Sequence, residues 1–512
     1  MAVQPHPRGA APFDASGVVR DSNDVARYQN LSPSLVALAR ATTDAFGDHE
    51  AVVEVGGPRL TYRQLWDRAA LVAGGLRAAG VQRGDRVGNL LSAGADWVVA
   101  FFGTLLAGAV AVPVNTRFAA PEIDYVLTDS GARYTFRPGE PLPEGSPAAV
   151  DDLGHDDLAA IFYTSGTTGF PKGAMTTHEN FLSNVETALR VIELDRSEGP
   201  GLRNLVSVPL FHVTGCNSQL LVQLAVGGTT IVLPAFDVQA FLRTIVSERV
   251  NLLTSVPAIY ALALAQPNFG EFDLGTVSRI NYGGAPIAPS LVERIKRAFP
   301  QARVGNGFGL TETSSIATYL PHEWAAEHAD SVGFAAPVVD LALDAPDPAS
   351  GVGELLIRGP NVVAGYWSKP DATASTFVEG WLHSGDLARI DGEGLVYVVD
   401  RAKDMINRGG ENVYSVEVEN ALVAAPGIAE AAVVGVPDDV MGEKVGAVIV
   451  PIPGTTVDPH AVIGYLGGRL ADFKCPEYFA VRDTPLPRNP GGKLLKRQLR
   501  ENTEWGPPIR SR

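Results

Sequence analysis

Tyr163-Thr-Ser-Gly-Thr-Thr-Gly-Phe-Pro-Lys-Gly-Ala174 concentrates glycines, small hydroxyl residues and one lysine in a single short stretch. Backbone N–H groups, hydroxyl donors and a cation are the chemistry a polyphosphate needs. The preceding run, Leu158-Ala-Ala-Ile-Phe162, is apolar and reads as a buried strand. A strand feeding a glycine-rich phosphate loop is therefore the reading from which the rest of the chain is taken. An ordinary flexible surface loop is the bland alternative.

The stretch is not the G-x-x-x-x-G-K-[ST] loop of P-loop NTPases, because Pro171 precedes Lys172 and Gly173 follows it. It resembles instead the phosphate-binding signature of the acyl-adenylate-forming enzymes, the family of acyl-CoA synthetases, peptide-synthetase adenylation domains and beetle luciferases. By that resemblance Thr164, Ser165, Gly166, Thr167, Thr168, Gly169 and Lys172 handle ATP.

Composition is compatible with this. The chain has 512 residues, 46% hydrophobic and 19% charged, which describes a globular protein of two or three domains. A net charge of −16 argues against a nucleic-acid partner and requires positive groups to be gathered locally around ATP. Two cysteines, Cys216 and Cys475, offer neither a disulfide framework nor metal-ligand spacing, which fits a reducing cytoplasm. The N-terminal residues lack the apolar core of a secretory signal. Trp97 to Val114 approaches the length of a membrane span, but Gly103, Gly108 and Pro113 interrupt it and no integral span is expected. Peripheral membrane contact stays open, as does the choice between monomer and dimer.

Along the chain, residues 1–30 read as a poorly ordered lead-in. Thr61-Tyr-Arg-Gln64 has capping-box spacing ahead of a helical repeat through Leu65, Ala69, Val72 and Leu76. Strands are expected at 85–92, 111–115, 205–210, 229–233, 252–256 and 278–282, with helices at 96–106 and 178–191. Alternating strands and helices imply an α/β fold with mostly parallel sheets covered on both faces. From Gly353 short strands with Gly and Asp turns suggest a small antiparallel subdomain. A smaller α+β unit follows: helix 415–424, strands 431–436 and 444–450, helix 459–470. The division is placed near residue 400, giving an AMP-binding domain over 31–400 and a C-terminal domain over 401–512.

The resemblance runs from about residue 30 to about 500 and rests on several motifs in family order. Gly283-Gly-Ala-Pro286 resembles the adenine-binding turn, so Gly284, Ala285 and Pro286 are expected at the base. In Gly307-Phe-Gly-Leu-Thr-Glu-Thr313 the resemblance places Gly307 and Phe308 by the adenine, Thr311 at the α-phosphate and Glu312 on Mg²⁺. A carboxylate beside phosphates needs a divalent cation between them. His383-Ser-Gly-Asp386 resembles the ribose-binding element, with Asp386 accepting from the ribose hydroxyls and Arg401 assisting. Asp400 stands where the family often has glycine. Lys493 resembles the catalytic lysine of the C-terminal domain, a cation for the attacking carboxylate and the leaving oxygen. Without the resemblance it would pass for one of an exposed basic group with Lys496, Arg497 and Arg500. Lys403 resembles the hinge of a mobile small domain whose other orientation brings Gly409 and Gly410 to a coenzyme A tunnel.

His212 matches the gate between acyl pocket and thiol tunnel, and Val213, Val256, Gly283 and Gly309 are expected along that pocket. Amino-acid adenylating relatives carry an Asp where Val213 stands, and malonate-type relatives an arginine near Val256. An uncompensated charge in an apolar pocket is costly, so a monocarboxylic acid with an apolar tail is expected. The implied activity is an AMP-forming acid:CoA ligase using ATP, Mg²⁺ and coenzyme A. The rivals are an acyl-AMP ligase serving a carrier protein and a silent ATP-binding regulator. His178, Cys216 and Cys475 are assigned to structure.

Overall fold

The computed structural model describes residues 3–164, 171–285, 287–409, 411–488 and 494–509. The chain forms two compact units. The first holds 1–342, 356–383 and 391–396; the second holds 343–355, 384–390 and 397–512.

Two sheets dominate the first unit. In the larger, Glu50–Glu54, Thr229–Val232, Arg203–Val206, Leu252–Ser255, Arg279–Gly283 and Arg303–Phe308 lie side by side in that order and all parallel. Antiparallel strands close its edges: Arg59–Thr61 at one, Thr318–Leu320 and then Phe334–Ala335 at the other. In the second sheet Tyr134–Phe136, Arg86–Asn89, Val110–Pro113 and Leu158–Thr164 run parallel. The central strands are short and buried on both faces, such as Thr229–Val232 and Val110–Pro113, because helices cover each side.

Those helices follow from the sequence. Thr61 caps Tyr62–Ala78 through the expected box, its hydroxyl accepting from Gln64 N–H while the Gln64 amide oxygen accepts from Thr61 N–H. The apolar run that resembled a membrane span is the helix Ala95–Leu106, about 18 Å long, followed by the strand Val110–Pro113. All of that helix except Asp96 is buried, with Trp97 stacked on Phe101 at 5.4 Å and Phe101 edge-on to Phe181. Burying each such side chain contributes about 1.5–3 kcal/mol, so the hydropathy is core, not lipid contact. Among the described residues no helix is long and apolar enough to cross a membrane.

Some expectations change. Residues 18–28 are not a loose lead-in: Val18–Arg20 and Ala26–Tyr28 pair as a hairpin. Tyr28 is buried and hydrogen-bonded to Thr187, and Arg20 chelates the buried Asp340, which Arg358 also contacts. The strand expected at 205–210 spans Arg203–Val206, and the chain beyond turns irregularly toward His212. A strand absent from the sequence reading, Lys172–Thr177, returns antiparallel to Leu158–Thr164 with Thr164 opposite Lys172. The two segments that flank residues 165–170 thus pair as antiparallel neighbours.

The second unit contains the helix Ser415–Val423 and the long antiparallel pair Ile428–Asp438 and Gly442–Pro451, around a core that includes Val418, Leu422, Val433, Ala447 and Leu466. The helix expected over 459–470 ends at Leu466.

Candidate active site

The larger sheet brings its candidate site residues to the C-terminal ends of neighbouring parallel strands, where ligands gather in open α/β sheets. Leu252–Ser255 leads to Val256, Arg279–Gly283 to Gly284 and Ala285, and Arg303–Phe308 to the turn Thr311–Thr313. Gly284 has φ +74°, a conformation that favours glycine, and a β-carbon there would stand 3.7 Å from Val256 Cγ1. Gly307, Phe308, Gly309, Thr311 and Glu312 are half-buried. Pro286 lies outside the described residues, as do Ser165, Gly166, Thr167, Thr168, Gly169, Gly410 and Lys493.

Two of the expected acyl-pocket glycines have a different physical basis. A β-carbon on Gly283 would sit 2.1 Å from Gly307 O, and one on Gly309 would sit 1.4 Å from Ser315 O. Both glycines are therefore required by backbone packing. Val213 is buried and Val256 half-buried. His212 immediately precedes Val213, at the head of the short helix Val213–Gly215, its ring 4.8 Å from that of Phe211.

Tyr366 links the two sheets, and sequence reading passed over it. Its hydroxyl donates to Glu312 Oε1 at 2.7 Å, and Lys172 Nζ stands 5.0 Å from the centre of its ring. Backbone bonds fix the arrangement: Val363 N–H to Glu312 O, Met175 N–H to Gly365 O, and Trp367 N–H to Gly173 O. Burial, then the Glu312 charge, push the Tyr366 phenol well above its usual range, so it stays a donor. The lysine of the phosphate stretch thus lies over the ring whose hydroxyl holds the carboxylate of the Thr311–Thr313 turn. A Gly-Tyr-Trp run in a loop was the available signal, but only tertiary contacts say what the ring touches.

In the second unit Asp386 is 2% exposed and ion-paired with Arg401 Nε at 2.6 Å. Ala402 N–H bonds Gly385 O, holding the two strands that carry the pair. Lys403 is exposed in the turn that follows Arg401. Asp400 has its own occupation: it accepts from Arg401 N–H at 2.7 Å and from Ser415 N–H and Oγ, capping the helix Ser415–Val423 from outside. Burial raises its pKa. Lys496 is not part of a solvated basic tail. Its side chain is 12% exposed and pairs with Glu419 at 2.7 Å. Gly409 has φ +61° and its N–H bonds Met441 O at 2.7 Å.

His178 accepts from Leu35 N–H through Nδ1, and burial pushes its pKa down to about 4, keeping it neutral. Cys216 is fully buried and its thiol is pushed up by desolvation. Cys475 is buried as well.

The family model for AMP-binding enzyme matches residues 39–367, and that for the AMP-binding enzyme C-terminal domain matches 417–493. Feruloyl-CoA synthase of an Amycolatopsis species is 40% identical over 88% of this chain and 96% of its own. The fatty acid–[acyl-carrier-protein] ligase ScoC of Streptomyces coeruleorubidus is 35% identical over 93% of this chain and 98% of its own. The crystal structure of ATP-bound MatB from Rhodopseudomonas palustris superposes with a TM-score of 0.83 at 33% identity, covering 91% of this chain and 98% of that one. The chain belongs to the AMP-binding enzymes, the acyl-adenylate-forming family, and within it to the AMP-forming acid–thiol ligases.

Proposed function

We propose that the protein joins a monocarboxylic acid with an apolar tail to coenzyme A in two half-reactions. A carboxylate oxygen attacks the α-phosphorus of ATP, the new P–O bond forms, and the bond to the pyrophosphate oxygen breaks. The thiolate of coenzyme A then attacks the acyl carbon, the thioester forms, and AMP leaves with the electron pair of the C–O bond. The thiol proton is lost to solvent.

The observation that supports this best is the convergence of Lys172, Tyr366 and Glu312 at the strand ends. Lys172 supplies a cation for the β- and γ-phosphates in an otherwise acidic protein. Thr311 and Glu312 offer hard oxygen donors, the set Mg²⁺ prefers, and the carboxylate already has a neutral hydroxyl to orient it. Mg²⁺ held by Thr311 and Glu312 would offset phosphate charge. Gly284, Ala285 and Phe308 border the space for adenine, and Asp386 accepts from the ribose hydroxyls with Arg401 holding its carboxylate in place. Lys493 is assigned the cation that steadies the attacking carboxylate, Lys403 the hinge, and Gly409 with Gly410 the path of the thiol.

Val213 and Val256 support an uncharged acyl tail, since neither can pair a second carboxylate or an ammonium. Relatives act on a hydroxycinnamic acid and on fatty acids, as their names state, which is consistent with an apolar body of either kind. The test is AMP and pyrophosphate release from ATP and Mg²⁺ with acetic, octanoic, palmitic, ferulic and cholic acids, with and without coenzyme A. AMP turnover that requires coenzyme A is expected for one of the larger acids. Pyrophosphate release stopping near one equivalent whether or not coenzyme A is present would point to a carrier protein as acceptor. Silence with every acid would overturn the reading.

A further inference from the structure

Immediately after Glu312 the backbone takes two conformations that side chains disfavour: Ser314 has φ +53° and Ser315 φ +118°. Neither is glycine, and bonds within the turn, Ser314 N–H to Thr311 O and Thr313 Oγ1 to Ser315 O, are joined by contacts from outside it. Three buried asparagines from separate parts of the chain aim at its carbonyls. Asn217 Nδ2 donates to Ser314 O at 2.7 Å, and Asn361 Nδ2 donates to Thr313 O at 3.2 Å and Ile316 O at 3.0 Å. Asn184, in the amide orientation that satisfies both its ends, donates to Ser314 O at 3.3 Å and accepts from Ile316 N–H at 2.8 Å. Ser218 Oγ meets Ser315 Oγ at 2.7 Å. Asn217 and Ser218 stand on a π-helical stretch, Cys216–Leu220, a geometry that is rare and recurs at functional sites. Burying three carboxamides is costly unless they are bonded, and here the donor ends of all three converge on four consecutive residues.

We propose that Asn217, with Asn184 and Asn361, is a positioning residue for adenylation: the amides hold the strained Ser314–Ser315 turn, and the turn fixes Thr311 and Glu312 against the α-phosphate and its metal. This rests on the role of Glu312 given above. The clamp acts on the first half-reaction, because only that step breaks the bond between the α-phosphorus and pyrophosphate.

The experiment compares pyrophosphate exchange, over a Mg²⁺ titration, with thioester formation from supplied acyl-AMP and coenzyme A, using the fastest acid of the panel. Asn217→Ala is expected to lower the exchange rate about 10–100-fold, as small misplacements of catalytic groups do, and to raise the Mg²⁺ requirement, while thioester formation changes less than about threefold. Adding Ser314→Gly, which accepts the positive φ without strain, is expected to recover a large part of the loss. A residue that served packing alone would not be rescued by glycine at a different position. Should Asn217→Ala accumulate poorly, Ser218→Ala removes one hydroxyl from the same turn and is expected to show the same split at about threefold. Equal loss in both half-reactions, or no rescue, overturns the proposal. Glu312→Gln is measured alongside: if it spares exchange, the assigned role of Glu312 fails; if it abolishes exchange while the Asn217 and Ser218 variants do not lower it, the clamp alone fails.

Discussion

Glu312 and Asp386 are carboxylates in different units of the molecule, held by different partners. Glu312 is half-buried and bonded to a neutral phenol, Tyr366, at 2.7 Å. Asp386 is buried and bonded to a guanidinium, Arg401, at 2.6 Å. A hydroxyl donor orients a carboxylate without cancelling its charge, leaving it able to bind a cation. A guanidinium supplies much of the opposite charge, leaving a fixed acceptor suited to neutral hydroxyls. The contrast teaches that the partner, more than the carboxylate, decides which part of a nucleotide each group can serve.

That contrast predicts different failures. The largest effect is expected for Glu312→Gln, which keeps the shape and the Tyr366 bond but loses the charge. Acyl-AMP formation should fall about 10²–10³-fold, with saturating Mg²⁺ unable to restore it, and a change confined to the KM for ATP would show that the two carboxylates are equivalent after all. Asp386→Asn should act chiefly on binding, raising the KM for ATP about 10–100-fold while kcat moves only a few fold, as loss of uniform binding does. Measuring 2′-deoxy-ATP on the unaltered protein sharpens this, because a ribose contact predicts a penalty that Asp386→Asn then abolishes. The smallest effect is expected for Tyr366→Phe. It removes one hydrogen bond to a charged group, worth about 1.5–3 kcal/mol, so the adenylation rate should drop about 10-fold with the melting temperature little changed. Equal losses in Tyr366→Phe and Glu312→Gln would mean that the phenol does more than orient its partner.

Much of this was legible from the chain. The capping box at Thr61, the helices at 96–106 and 178–191, and the parallel strands carry their periods and caps in local sequence. The strand Lys172–Thr177 was hidden because its residues, Lys-Gly-Ala-Met-Thr-Thr, have no strong alternation and draw their order from pairing with Leu158–Thr164. The N-terminal hairpin was hidden for a similar reason: an ion cluster around Asp340, more than 300 residues away in the chain, anchors it. Lys496 reads as a surface charge until Glu419 is seen beside it.

The sequence by itself determined the family, the α/β class and the residue types available for phosphate, metal and ribose, because these reside in contiguous motifs whose spacing survives without coordinates. Only the tertiary structure decided that Lys172 and Glu312 share Tyr366, that Asp400 caps a helix, and that Asn184, Asn217 and Asn361 converge on one turn. Each of these joins residues far apart in the chain through single hydrogen bonds or ring contacts. Such contacts have no period and no local propensity, and they exist only once the sheets have brought their strand ends together.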